Sequence, residues 1–286
     1  MKNITVTKRA LVIELKIRYI IGNKNERDGL SMTNKEIYLI AMEQHALEIN
    51  CNVEDFLRDC PVIICSGIGK GARKYYKEPI ACDLVSYGNN IVALVRQENK
   101  EIVEEYLKKF EFYHCFETPN FHWLNERLEE KGQKVCFMAE YYLPDVEKLT
   151  ALPCDYELKL LKQQDFAPLY CPEWSNALCE DRKELDVLGV GAYDGSALVG
   201  LVGCSADCDT MWQIGVDVLP EYRRRGIAAA LTSTLALEIL KRGKVPFYCS
   251  AWSNIRSVRN AIKSGFTPAW VEMTAKPADF VDGLNQ

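Results

Sequence analysis

The chain has 286 residues and a formal net charge of −5, and 48% of its residues are hydrophobic and 26% charged. This length exceeds the ~100–200 residues of one typical domain, so we expect two domains in an ordinary globular protein. The acidic balance disfavours a broad nucleic-acid-binding surface, and no apolar run approaches the ~20 residues of a membrane helix or resembles a signal peptide. We therefore expect a cytoplasmic protein with neither nucleic acid nor membrane as a partner.

The 12 cysteines are spread along the chain without a C-x-x-C pair. With no secretory signal, they are expected to be reduced thiols. The three histidines, His45, His114 and His122, are not arranged with the cysteines in a metal-ligand spacing. The sequence therefore predicts no structural metal.

The first half of the chain predicts a mixed α/β layer. Residues 7–21 have the pattern of a first helix, and Thr33 with Glu36 forms a capping box ahead of a second helix that contains His45. A lone histidine in a helix is typical of a surface or core position rather than of a catalyst. Further elements are predicted as a strand at residues 61–65, a hairpin at 83–95, a helix capped by Asn99, another near Trp123, and a strand at 134–142.

A glycine-rich stretch after the first strand fits the G-x-G-x-x-A pattern of a dinucleotide site at Gly67, Gly69 and Ala72. Such a loop should begin a crossover helix of about ten or more residues. Here Pro79 arrives seven residues after Ala72, and proline interrupts helices. We therefore do not interpret this stretch as a cofactor site.

Two Leu-Pro pairs bracket polar residues between Leu143 and Pro153, and they predict a domain boundary near residue 150. The division is then an N-terminal domain at 1–150 and a C-terminal domain at 151–286. The second half predicts a strand, two short helices over 163–178, three antiparallel strands, a helix, a strand, a helix and a strand. This order is typical of an α/β fold with a mixed sheet.

Residues 211–266 contain the clearest functional pattern. A strand ending at Leu219 leads through Arg223, Arg224, Arg225 and Gly226 into a long apolar helix. The first amides of a helix have no intrahelical partner and carry positive partial charge, so this approach suits a phosphate. An isolated basic triplet is more often a solvated surface, and the P-loop pattern is not met here.

These residues resemble the GNAT acetyltransferase superfamily. Its phosphate-loop pattern, Arg or Gln, two residues, Gly, one residue, then Gly or Ala, is met by Arg223, Gly226 and Ala228. Its second signature, an Asn followed eleven residues later by Gly-Phe, is met by Asn254 and Gly265. The likeness covers roughly residues 156–275. It implies a GNAT-like acyltransferase fold in the C-terminal domain, preceded by a smaller mixed α/β domain.

The resemblance also implies a cofactor site. In the superfamily, acetyl-coenzyme A enters a slot where the fourth and fifth strands separate, and its pantetheine pairs with the exposed edge of the fourth strand. That edge corresponds to Val216, Asp217 and Val218, and the Val218 amide is the candidate oxyanion donor. The other implied cofactor-binding residues are Arg223, Arg224, Arg225, Gly226, Ile227, Ala228, Ala229 and Asn254. Three more basic residues, Arg256, Arg259 and Lys263, share one helix face, which is more typical of a solvated surface than of a phosphate site.

The chain departs from the superfamily at two catalytic positions. Many members place a tyrosine acid seven residues after the signature Asn, and here that position is Ala261. Members with a carboxylate base five residues before the Asn have Cys249 as the counterpart. The remaining acids on the predicted site strands, Asp217 and Glu272, are candidate bases, and Tyr248 is a neighbouring phenol. Each of them alone is more typical of a structural role.

The sequence thus predicts an N-acetyltransferase that moves an acetyl group from acetyl-coenzyme A to a primary amine of a small molecule or peptide, without a metal. Two alternatives stay open: a transferase with a bulkier acyl or aminoacyl donor, and a non-catalytic acyl-coenzyme A sensor. The N-terminal domain is expected to line or cover the acceptor cleft, or else to stabilise the fold or form a homodimer.

Overall fold

The computed structural model describes residues 32–76 and 80–285. The helix predicted at residues 7–21 and Pro79 lie outside these residues. Within the described part of the chain, no helix is long and apolar enough to cross a membrane.

The helices described are α1 (Asn34–Ile49), α2 (Lys100–Lys109), α3 (Thr118–Glu129), α4 (Ile227–Lys241), α5 (Ile255–Lys263) and α6 (Ala278–Gly283). The strands are β1 (Val62–Ile64), β2 (Cys82–Ser86), β3 (Val92–Val95), β4 (Gln133–Pro144), β5 (Glu157–Lys162), β6 (Asp186–Asp194), β7 (Ala197–Ser205), β8 (Met211–Val218), β9 (Val245–Ser250) and β10 (Phe266–Pro277). The predicted α/β class with a mixed sheet is confirmed.

All ten strands belong to one sheet, in the order β1-β3-β2-β10-β4-β9-β8-β7-β6-β5. The β1–β3 and β8–β9 pairs are parallel, and the other described pairs are antiparallel. The last strand, β10, lies between β2 and β4, while β4 also pairs with β9. Strands from both halves of the sequence therefore alternate at the centre of the sheet, and the division at residue 150 stays a prediction.

Side chains alternate along each strand, so every strand contributes residues to both faces of the sheet. Helices cover both faces. Helix α1 packs on the face that we call the front, where His45 contacts Trp270 of β10. Helices α4 and α5 lie on the opposite, back face: Gly200 of β7 approaches Ile227 of α4, and Tyr248 of β9 bonds to Ser257 of α5. Helices α2 and α3 pack on the same back face, in a core that includes Met273 of β10.

Local sequence signals explain most of the elements. The capping box at Thr33 and Glu36 is present at the start of α1, and the apolar residues that recur every four positions in α4 are fully buried. Asn99 is the N-cap residue of α2, as predicted, but it makes no side-chain capping bond; its amide nitrogen donates instead to the Ala81 carbonyl and to Gln133. Residues 163–174 form single 3-10 turns instead of part of two short helices, since Pro168 and Pro172 interrupt this stretch.

Candidate functional site

Strands β8 and β9 separate at their carboxyl ends. Their parallel pairing runs from Met211 opposite Val245 to Ile214 opposite Tyr248 and stops there. Strand β8 continues to Val218, and β9 continues to Ser250. The two strands therefore enclose a gap whose closed end lies at the Ile214–Tyr248 pair.

The edge of β8 that faces this gap carries unpaired backbone groups. The Leu219 amide donates to the Val199 carbonyl, next to the pairing of β8 with β7. In an antiparallel pair every second residue bonds to the neighbouring strand, so the backbones of Asp217 and Gly215 also bond to β7. The backbone groups of Val216 and Val218 then point away from β7, into the gap. This arrangement leaves the Val218 amide available, while the backbone of Asp217, which was included in the predicted edge, is used by β7.

The loop before α4 presents a run of unpaired amides. Its regular bonds end with Arg223 donating to Pro220 and resume with Ala230 donating to Gly226. Among the described residues, no acceptor pairs with the amides of residues 224–229. Arg224 and Gly226 have φ values of 65° and 83°, in the left-handed region that non-glycine residues rarely adopt. A strained loop of consecutive N–H groups at a helix N-terminus is a concave anion site.

The three arginines of this loop have different surroundings. Arg223 donates from Nε to the Val218 carbonyl at 3.0 Å, and Arg225 donates to the Tyr156 hydroxyl at 2.6 Å. These two side chains hold the loop against β8 and against the segment before β5. The exposed Arg224 side chain has no hydrogen-bond partner among the described residues, so it can turn towards an incoming anion.

Helix α5 contributes a further cation to the loop. The amine of Lys263 lies 4.0 Å from the position that a Cβ atom on Gly226 would take. Asn254, in contrast, caps α5 with its side-chain oxygen, which accepts from the Ser257 amide at 3.2 Å. Lys263 is therefore placed to attract an anion at the loop, and Asn254 fixes the start of the helix beside the gap.

Asp217 holds a loop against the front face of the sheet. Its carboxylate accepts from the amides of Asn176 and Ala177 at 2.8 and 2.9 Å, and from the Asn176 side chain at 2.6 Å. The same loop crosses Gly215 so closely that a Cβ there would lie 1.8 Å from the Asn176 carbonyl oxygen. The geometry thus gives Asp217 a structural task, and its role as a base stays a prediction.

Glu272 lies in a buried polar cluster on the front face. Arg73 reaches both of its oxygens, with Nη2 at 3.1 Å and Nη1 at 3.4 Å, and it also donates from Nε to Glu48 at 3.1 Å. His45 and Tyr76 complete the surroundings of Glu272. Burial alone would raise the pKa of Glu272, but Arg73 and His45 lower it below its usual range. A carboxylate with such a low pKa and so many partners is a weak proton acceptor.

A family comparison shows which family the chain belongs to. The model of the family described as GNAT acetyltransferase matches residues 74–269. The chain belongs to the GNAT acetyltransferase family. The match begins inside the N-terminal half, so the family extends over more of the chain than the two sequence signatures near residues 223 and 254 indicated. No protein of curated function matches the sequence significantly.

Solved structures with a similar fold include further GNAT proteins. A GNAT-family protein from Novosphingobium aromaticivorans DSM 12444 is 20% identical with a TM-score of 0.41, over 50% of this chain and 66% of its own. A GCN5-related N-acetyltransferase-like protein from Streptococcus suis 89/1591 is 18% identical with a TM-score of 0.43, over 71% of this chain and 87% of its own. The protein yncA from Salmonella typhimurium, solved with acetyl-CoA, is 16% identical with a TM-score of 0.31, over 44% of this chain and 95% of its own. The chain thus spans just under two thirds of the length of the Novosphingobium protein.

The two departures from the GNAT pattern are visible in the structure. Ala261 is fully buried on α5. Cys249 points to the front face, where Gln213 donates to its sulfur at 3.1 Å, and burial raises the pKa of its thiol to about 11. Neither side chain offers a carboxylate or a phenol to a reaction in the gap.

Sequence reasoning missed the front-face residues supplied by the N-terminal half of this GNAT chain. Arg73 lies in the glycine-rich stretch that resembled a dinucleotide loop, and it is 5% exposed. Tyr75 and Tyr76 follow it and are half-buried. Gly69 is required there for packing, because a Cβ would lie 1.8 Å from the Leu47 carbonyl oxygen. No local pattern indicates these contacts, since the partner Glu272 lies 199 residues away in the sequence.

The described residues also include other chemical groups. None of their histidine, cysteine and acidic side chains gather in threes as a metal site, and their cysteines are all free thiols. The aromatic segment at residues 112–123 packs on the back face, with Tyr106 stacked on Trp123. Residues of this segment and Trp252 line a shallow cleft of about 510 Å³; the lining residues are Tyr113, Phe116, Glu117, Thr118, Pro119 and Trp252.

Proposed function

We propose that this GNAT-family chain transfers an acetyl group from acetyl-CoA to a primary amine by direct attack of the amine on the thioester. One observation carries the proposal: the unpaired amides of residues 224–229 adjoin the edge of β8 that faces the gap, where the Val218 amide and the backbone of Val216 point away from β7. The amides suit a pyrophosphate, and the strand edge suits the amide-rich pantetheine arm. Acetyl-CoA has both groups in one molecule.

The positive charges of the loop favour the same ligand. Arg224 is exposed, and the Lys263 amine lies near Gly226. Both can approach the pyrophosphate without leaving a buried partner unpaired. Arg223 and Arg225 act indirectly, because their bonds to Val218 and Tyr156 fix the shape of the loop.

The Val218 amide would stabilise the oxyanion that forms when the amine attacks the thioester. Its own carbonyl oxygen is occupied by Arg223, which holds the peptide plane in position. A donor that is fixed before the reaction needs no reorganisation when charge develops on the carbonyl oxygen. The amine would enter as the free base, because both carboxylates that sequence reasoning proposed as bases, Asp217 and Glu272, are engaged in hydrogen bonds.

The front face is the side from which we propose that the acceptor approaches. There the loop held by Asp217 and the N-terminal segment at Arg73 and Tyr76 flank Cys249 of β9. The N-terminal half would then line the acceptor cleft, as the sequence led us to expect. The competing hypothesis is that the N-terminal half only stabilises the sheet or forms a homodimer.

Ligand binding tests the proposal directly. Acetyl-CoA, NAD and ATP are compared by thermal shift and calorimetry, and acetyl-CoA at ~100 times its dissociation constant should stabilise the protein by ~2.7 kcal/mol. Equal effects of the three nucleotides, or none from acetyl-CoA, would refute the assignment. A screen of pooled amines that detects free thiol then measures turnover.

The same screen separates the alternatives. Binding of acetyl-CoA without turnover would favour an acyl-CoA sensor. This alternative is supported by the buried alanine at residue 261 and by the hydrogen bonds that engage the Asp217 carboxylate. Turnover only with longer acyl-CoA donors would favour the transferase with a bulkier donor.

A further inference from the structure

The thiolate that leaves in the proposed reaction takes up a proton, and the backbone of one tyrosine, Tyr248, lies at the closed end of the gap with a side chain that is 4% exposed. Tyr248 forms the last parallel pair of β9 with Ile214 of β8. Its side chain lies on the back face, the face of α4 and α5, since its hydroxyl is 2.8 Å from Ser257 Oγ of α5. The alternation of strand side chains places Cys249 on the other face.

The hydroxyl of Tyr248 occupies the place beside α5 that a longer side chain at residue 261 would reach. Side chains on a helix lean towards its N-terminus and cover the preceding turn, so a tyrosine at 261 would extend over Ser257. Here residue 261 is a fully buried alanine. The tyrosine ring next to it comes from the strand, where it also packs against Phe266 with ring centroids 6.2 Å apart.

We infer that Tyr248 is the proton donor to the thiolate of coenzyme A. The inference rests on the proposed function, which brings the thioester to the gap between β8 and β9. In this step the amine nitrogen forms a bond to the acetyl carbon, the carbon–sulfur bond breaks with its electron pair on sulfur, and the Tyr248 proton moves to that sulfur. After attack the nitrogen loses one of its protons to solvent, and the half-exposed Ser257 returns a proton from solvent to the phenolate, so the overall proton count balances.

The surroundings of Tyr248 suit an acid rather than a base. Burial raises its pKa, hydrogen bonds from Ser257 and Asn260 oppose that effect, and the negative charge of Asp217 adds to the effect of burial. The phenol is therefore protonated at neutral pH. The nearest similar group, Tyr142, donates its hydroxyl to Glu140 at 2.5 Å, so its proton is already engaged.

The test compares Tyr248→Phe with Tyr142→Phe, a matched loss of one buried hydroxyl from a ring whose centroid is 6.3 Å away. The probes are coenzyme A and desulfo-coenzyme A, which lacks the sulfur, measured by calorimetry at a pH where the free thiol is ionised. A hydrogen bond to a charged group corresponds to a loss of roughly tenfold or more in affinity. We expect Tyr248→Phe to lose about that factor for coenzyme A and to bind desulfo-coenzyme A as wild type does, whereas Tyr142→Phe should bind both unchanged.

Turnover supplies a second measurement with any amine that the wild type accepts. A general acid typically contributes on the order of 10²-fold or more, so Tyr248→Phe should lower kcat by that factor with little change in the KM for acetyl-CoA. The double variant Tyr248→Ala, Ala261→Tyr returns a phenol to the same place and should recover part of kcat relative to Tyr248→Ala.

The outcomes separate the two claims. If wild type fails to bind acetyl-CoA, the proposed function is wrong. If wild type binds and turns over, and Tyr248→Phe matches Tyr142→Phe in both measurements, the assignment of Tyr248 alone is overturned. A drop in affinity for both coenzyme forms would show that Tyr248 only supports the fold.

Discussion

Replacing Arg73 with alanine is expected to be among the most destabilising single changes in the chain. The Arg73 side chain is 5% exposed, and its carboxylate partners Glu48 and Glu272 are 3% and 4% exposed. Removing one partner of a buried ion pair costs on the order of 3–5 kcal/mol, because the remaining charge has neither water nor a counter-ion. For a chain of this size class each kcal/mol lowers the Tm by ~2–4 °C, so the Tm should fall by about 6–20 °C.

Thermal and urea unfolding measure this effect, with Arg58→Ala as the matched control. Arg58 also pairs with an aspartate, Asp55, at 2.7 Å, but its side chain is 56% exposed. Asp55 itself is 6% exposed but keeps its bond from the Asn52 amide, and the lost Arg58 charge lies in water, so this variant should lose much less stability than Arg73→Ala. A triple variant in which Arg73, Glu48 and Glu272 all become methionine removes all three charges and should regain most of the stability that Arg73→Ala loses.

The dependence on pH gives a further check of the Arg73 prediction. Arg73 lowers the pKa of Glu272, so the ion pair stabilises the fold above the unfolded pKa of a glutamate, and this contribution is lost as the pH falls through the folded pKa. The deficit of Arg73→Ala should therefore be largest near neutral pH and narrow below about pH 4. The reasoning is refuted if Arg73→Ala is as mild as Arg58→Ala, or if the triple variant is as unstable as the single one.

Three further predictions concern the ligand loop, the front-face loop and the sheet. Gly226→Asp should abolish acetyl-CoA binding by calorimetry because it adds negative charge at the proposed anion site, whereas Gly243→Asp, at a φ of 70° with open space just beyond the opposite end of α4, should bind normally. Asp217→Asn should lower thermal stability and turnover at every pH, since its carboxylate holds Asn176; loss of only the acid limb of the rate profile would instead identify a base. Asp83→Asn should raise the free energy of unfolding near neutral pH but not below about pH 4. Burial raises the pKa of Asp83, so ionisation of this carboxyl stabilises the unfolded state as the pH rises. The prediction is contradicted if the variant and the wild type differ in stability by the same amount at both pH values.

The geometry of the loop before α4, which we propose as the phosphate site, could be predicted from sequence because it depends on local residues. A strand, a loop with Arg223 and Gly226, and the apolar helix follow one another within a few residues, and the backbone of a helix N-terminus supplies the binding groups whatever lies elsewhere. The capping box at Thr33 is local in the same sense. Patterns of this kind need no knowledge of distant parts of the chain.

The front-face cluster could not be predicted, because its energetics depend on contacts across the whole chain. The sequence suggested no role for Arg73, which follows the glycine-rich stretch at residues 67–72, and it gave Glu272 as a candidate base on a predicted site strand. The structural role of Arg73 and of Glu272 is evident only from their contact, since a buried arginine is tolerated when carboxylates pair with it. The same holds for Asp217, whose carboxylate bonds to a loop 41 residues earlier.

The pairing of β10 joins the two halves of the chain on either side of the predicted boundary at residue 150. Its register with β4 runs from Phe266 opposite Pro144 to Pro277 opposite Gln133, and its other edge pairs with β2 from Cys82 to Ser86. Both neighbours precede residue 150, so a fragment of residues 151–286 would leave both edges of β10 and one edge of β9 without partners. Unpaired edges expose backbone groups and promote association with other chains. Because β4 pairs with β9 on the edge opposite the gap, at Tyr142 and Tyr248, the N-terminal half supports the strand that borders the gap, and a change in its packing can shift β9 without contacting the loop before α4.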